Sequence, residues 1–70
     1  MTGNEFARKI RKVGKDRGVR VSFDTEQGKG SHGTLYYGSC KTTLKDRTKE
    51  IGPGLLNKML RDLGLTSKDI

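Results

Sequence analysis

An α+β fold, with two helices packed on one face of a three-stranded antiparallel sheet in the order α-β-β-β-α, is predicted by three observations. Apolar residues recur with helical spacing near both ends of the chain. The middle alternates with a period of two, and Gly38-Ser39 stands between two β-forming runs as a two-residue hairpin signal. At 70 residues the chain is one small domain, residues 1–70, with one thin core.

The first helix is written in its opening residues. Thr2 and Glu5 have the spacing of a capping box, and Phe6, Ala7, Ile10 and Val13 follow with the helical period while Arg8, Lys9, Arg11 and Lys12 fall between them. The pattern predicts an amphipathic helix that ends near Gly14. Val19, Val21 and Phe23 then alternate with Arg20, Ser22 and Asp24, the signature of a strand buried on one side.

The polar, glycine-rich run TEQGKGSHG reads as a loop, TLYY as the second strand and CKTTL as the third. A two-residue turn pairs Tyr37 with Cys40, Leu35 with Thr42 and Gly33 with Leu44. One face then carries Leu35, Tyr37, Cys40, Thr42 and Leu44, and the other Thr34, Tyr36, Lys41, Thr43 and Lys45. KDRTKEIG is a polar connection. Pro53 opens a second helix whose stripe is Leu55, Leu56, Met59, Leu60 and Leu63, with Gly64 as its stop and Leu65 folding back behind it.

Composition narrows the functional classes. Hydrophobic residues make up 30% of the chain and charged residues 33%, and there is no 18-residue apolar run, so no membrane association is expected. The opening residues lack a secretory pattern and Cys40 has no second cysteine to pair with, which points to a soluble, cytoplasmic protein. Fifteen Lys and Arg against eight Asp and Glu give a formal charge of +7, spread along the chain. A field of that sign draws polyanions, nucleic acid first and an acidic protein or anionic lipid second.

Several motifs fail on context. Gly28, Gly30 and Gly33 have the G-x-G-x-x-G spacing of a dinucleotide loop, but a strand follows them where that loop requires a helix. The Walker spacing is absent, and the G-x-x-G of a KH domain joins two helices, not two strands. One histidine and one cysteine cannot supply the three or four ligands of a zinc site, so no metal and no small-molecule cofactor are expected. Cys40 falls on the buried face, away from a nucleophile's place, and the acidic residues form no recurrent pair.

What remains is a binding surface. His32 shares the parity of Thr34 and Tyr36, which sets it on the polar face beside Lys41 and Lys45. The glycines admit a close ligand, Lys29 adds charge, and Tyr36 offers a ring on which an unpaired base stacks. These features describe a place for single-stranded RNA.

GKGSHGTLYYG, TTLKD and KEIGPGLLNKMLRDLGLTSKDI, taken in order, resemble the HicA family of bacterial toxins, the messenger RNA interferases of HicA/HicB toxin-antitoxin modules. The resemblance covers nearly the whole chain, and its most specific piece is the Gly30-Ser31-His32 step. It implies a fold like that of a double-stranded-RNA-binding domain (dsRBD-like), a metal-independent endoribonuclease acting on mRNA, His32 as its catalytic residue, and a HicB-like antitoxin as protein partner. The expected RNA-binding set is Gly28, Lys29, Gly30, Ser31, Tyr36, Lys41 and Lys45. Two other readings stay open: a non-catalytic dsRBD-like RNA-binding module, and a small basic protein-interaction domain.

Overall fold

The computed structural model describes residues 1–25 and 33–70. Its elements run α1 (Gly3–Arg17), β1 (Val21–Thr25), β2 (Gly33–Tyr37), β3 (Cys40–Leu44) and α2 (Pro53–Asp62), the α-β-β-β-α order that periodicity predicts. The strands form one antiparallel sheet in the order β1-β2-β3, with β2 central.

The capping box that opens α1 is complete. The Glu5 N–H donates to Thr2 Oγ1 at 3.3 Å, and the Thr2 N–H donates to Glu5 Oε1 at 3.0 Å. That backbone hydrogen bond from Thr2 is the main reason the Glu5 carboxyl titrates below its ordinary value. Phe6, Ala7, Ile10 and Val13 point into the core as their spacing requires.

The helix does not end near Gly14, as its sequence suggests, but runs on to Arg17. Its stop is Gly18, which adopts a left-handed φ of +69°. Gly14 answers a different need. A Cβ there would stand 2.3 Å from Val21 Cγ2 and 2.7 Å from the Val19 carbonyl oxygen, so glycine is what lets α1 lie against the chain entering β1.

β1 begins at Val21 and extends through Thr25, whereas the alternation places Val19 inside the strand and Thr25 in the loop. Residues 19 and 20 instead lie beside the hairpin turn, where the Gly38 N–H donates to the Arg20 carbonyl at 2.8 Å. At the other end Thr25 pairs with Gly33, so the connection through residues 26–32 leaves and re-enters the sheet at one paired position. The β2–β3 register is the one a two-residue turn dictates, Tyr37 to Cys40, Leu35 to Thr42 and Gly33 to Leu44, with Gly38 at φ +60°.

In α2, Gly52 is the N-cap and Pro53 the first helical residue. The helix closes in a Schellman arrangement: the Leu65 N–H donates to the Leu60 carbonyl at 2.8 Å, the Gly64 N–H to the Arg61 carbonyl at 3.0 Å, and Gly64 has φ +74°. Leu65 folds back and is buried. The apolar stripe is narrower than its spacing suggests, because Leu55 is 50% exposed. Leu56, Met59, Leu60 and Leu63 aim at the core. Leu55 sits about 100° round the helix axis from Leu56 and lies over a shallow depression shared with Leu44, Ile51 and Met59.

The core joins the two helix stripes to the inner face of the sheet, with Phe6, Ile10, Leu35, Met59, Leu60 and Leu63 its largest fully buried side chains. The connection after β3 is more than a polar linker. Thr2 forms a bridge with Glu50, the Ile51 N–H donates to the Met1 carbonyl at 2.8 Å, and the Asn4 N–H donates to the Arg47 carbonyl at 2.8 Å. These bonds pin the start of α1 to that connection and leave Ile51 buried. Among the described residues no helix is long and apolar enough to cross a membrane.

Candidate nucleic-acid interface

Both helices pack on the face that carries Leu35, Tyr37, Thr42 and Leu44, and among the described residues no element covers the opposite face of the sheet. Strand register sets what that open face displays. One cross-strand row is Ser22, Tyr36 and Lys41, and the next is Asp24, Thr34 and Thr43. Tyr36 and Thr34 are half-buried at the centre of the sheet, and Lys41, Thr43 and Lys45 are exposed along its β3 side.

A cleft of about 390 Å³ runs beside β3 where α2 meets it, lined among others by Thr34, Lys41, Thr43, Lys45 and Lys58. Its wall is held by Thr42, which is buried and donates its hydroxyl to Asp62 Oδ2 at 3.1 Å. Lys58 Nζ donates to the same oxygen at 3.2 Å, one turn back along α2. Among the described residues three ammonium groups therefore share the cleft with a single carboxylate, Asp62, one oxygen of which already accepts two hydrogen bonds. The lysine charges can meet phosphate oxygens, and the Tyr36 ring, next to Lys41 in register, can receive a base.

Of the residues singled out from sequence, Tyr36, Lys41 and Lys45 lie where parity puts them. The structure brings Lys41 and Lys45 to one cleft and sets Tyr36 across the strand pair from Lys41. Gly28, Lys29, Gly30, Ser31 and His32 lie outside the described residues. Lys58 joins Lys41 and Lys45 at the cleft, with no sequence pattern that marks it for this place. Its i,i+4 relation to Asp62 is readable in the sequence, but the packing of α2 over the edge of β3, which brings it to the cleft, is not.

Other groups fall into structural roles. Cys40 is half-buried and packs against the core from the inner face. Asp46 Oδ1 accepts the Thr48 N–H at 3.0 Å and the Thr48 hydroxyl at 2.7 Å, shaping the turn after β3. Among the described residues no three His, Cys, Asp or Glu side chains gather into a group that could hold a metal ion. No family model, no curated protein and no solved structure matches the chain.

Proposed function

We propose that the chain is a toxin of the HicA type, a metal-independent endoribonuclease that cleaves mRNA and is neutralised by a HicB-like antitoxin. The observation that carries this reading is the open sheet face, where Tyr36 stands in register with Lys41 and a lysine-lined cleft lies beside it, at +7 overall. The likeness of Gly30-Ser31-His32 and its flanking segments to the HicA family supplies the chemistry.

Cleavage of this kind needs a base to take the proton of a ribose 2′-OH as that oxygen attacks phosphorus. It also needs an acid to protonate the departing 5′ oxygen, which leaves a 2′,3′-cyclic phosphate and a free 5′-hydroxyl. His32 fills one of these roles. Lys29 or Lys41 stabilises the added negative charge on the phosphorane, and Tyr36, a lysine or water serves as the second proton carrier. A partner with an acidic face would be steered to the lysine face and would cover it, which is how an antitoxin would block RNA.

The test compares the chain with His32→Ala, following growth and bulk mRNA on expression and RNA cleavage in the purified protein. The variant is expected to melt as the parent does and to lose cleavage by about a hundred- to ten-thousand-fold. A His32→Ala protein that cleaves at the parent rate removes His32 from the mechanism. One that never differs from the parent because neither cleaves, while both bind RNA, leaves the non-catalytic RNA-binding module.

A further inference from the structure

A second basic site lies on the helix side of the sheet. Arg8 and Arg11, three residues apart and so on one face of α1, line a cavity of about 240 Å³ together with Asn4, Phe23 and Arg47. Among the described residues no carboxylate lines it, and none of the three arginines forms an ion pair with a described residue. Three like charges around one cavity repel one another, so the arrangement favours an anion between them.

Arg47 is held in this place. Its backbone carbonyl accepts the Asn4 N–H at 2.8 Å, and its guanidinium carbon lies 5.0 Å from the centroid of the Phe23 ring. The start of α1 comes so near that a Cβ on Gly3 would stand 2.7 Å from Arg47 Cα. Yet Arg47 Nε is buried with no hydrogen-bond partner among the described residues. Buried N–H groups are nearly always bonded, so Arg47 keeps an unspent donor beside the three-arginine cavity.

We propose that this cavity binds a backbone phosphate of an RNA strand, as a subsite separate from the lysine cleft. The planar guanidinium fork matches two phosphate oxygens, and arginine is the side chain suited to that geometry. The position fits a strand that passes the end of the sheet: Phe23 lies two residues from Thr25, whose pairing with Gly33 marks where the chain leaves and re-enters the sheet. The RNA identity of the anion rests on the proposed function. The existence of an arginine phosphate site does not.

The experiment measures binding of a 2′-O-methyl oligonucleotide, which cannot be cleaved by 2′-OH attack, over a range of salt. The parent is compared with the double variant Arg8→Gln/Arg11→Gln, with Arg47→Lys, and with Lys41→Gln on the other face. Arg8 and Arg11 are exposed and their loss leaves the core intact, which a melting curve checks. The double variant is expected to bind about tenfold more weakly, with a salt slope reduced by about 0.7 for one phosphate. Arg47→Lys is expected to lose affinity although its charge is kept.

Binding and slope unchanged in the arginine variants, while Lys41→Gln weakens both, overturn the arginine subsite and leave the RNA reading standing. A parent chain that binds no oligonucleotide overturns both. Equal displacement by poly-glutamate of matched charge overturns phosphate recognition in favour of an acidic protein.

Discussion

Single residues carry two kinds of information here, and only one was readable in advance. Counting alone puts Tyr36 and Lys41 on the open face, because a two-residue turn fixes register and a strand alternates strictly. Gly14 could not be understood that way. In sequence it looks like a helix stop, and only the approach of Val19 and Val21 reveals it as a contact glycine. Gly14→Ala keeps good helix propensity, so propensity alone predicts a more stable protein. The close contact with the Val19 carbonyl, which cannot swing aside as a side chain can, predicts the reverse. We expect a loss of about 1–3 kcal/mol, read from the denaturant midpoint at unchanged m-value. A stabilised variant would show that α1 does not lie this close to β1.

Elements were legible where their determinants are local. The Thr2 and Glu5 box, Pro53 at the first turn of α2, and the Gly64 closure with Leu65 behind it are each set within a few residues of sequence, and each forms as read. What sequence hid was tertiary in origin. The narrowing of the α2 stripe at Leu55 and the pinning of residues 47, 50 and 51 to the start of α1 depend on how elements meet. Within α1, Thr2→Ala removes the hydroxyl that accepts the Glu5 N–H and should cost about 1 kcal/mol. Thr2→Ser should cost far less, since it keeps the acceptor. Thermal melts of the two variants check this; equal losses would mean that the methyl group, not the cap, is what matters.

At the scale of the whole molecule, the fold separates its tasks by face and end. The helices close one face of the sheet, Lys41 and Lys45 stand on the other, and the C-terminal segment is tied back to α1. That tie is the Arg17 guanidinium, 2.5 Å from Asp69 Oδ1, with the Thr66 N–H donating to the other oxygen at 2.7 Å. Arg17 first, and then the Thr66 backbone, hold the Asp69 carboxyl below its ordinary value. A carboxyl depressed in the folded state stabilises above its unfolded value, about 4, and that contribution fades as pH falls through the lower folded value. Asp69→Asn should therefore melt below the parent at pH 6, with the two curves converging below about pH 4. A difference that persists unchanged to pH 2 would rule out the charge as its source. The site was less legible than the fold, because charge and parity mark a surface while the meeting of distant side chains, such as Lys58 with Lys41 or Arg47 with Arg8, appears only on folding. The pairing of Thr25 with Gly33 bears on chain length as well as on geometry. Because that pair joins the two strands, the closure entropy of a longer connection rises by only about 0.6 kcal/mol for each doubling of length. Chain added between Thr25 and Gly33 therefore need not disturb the β1–β2 pairing or the core.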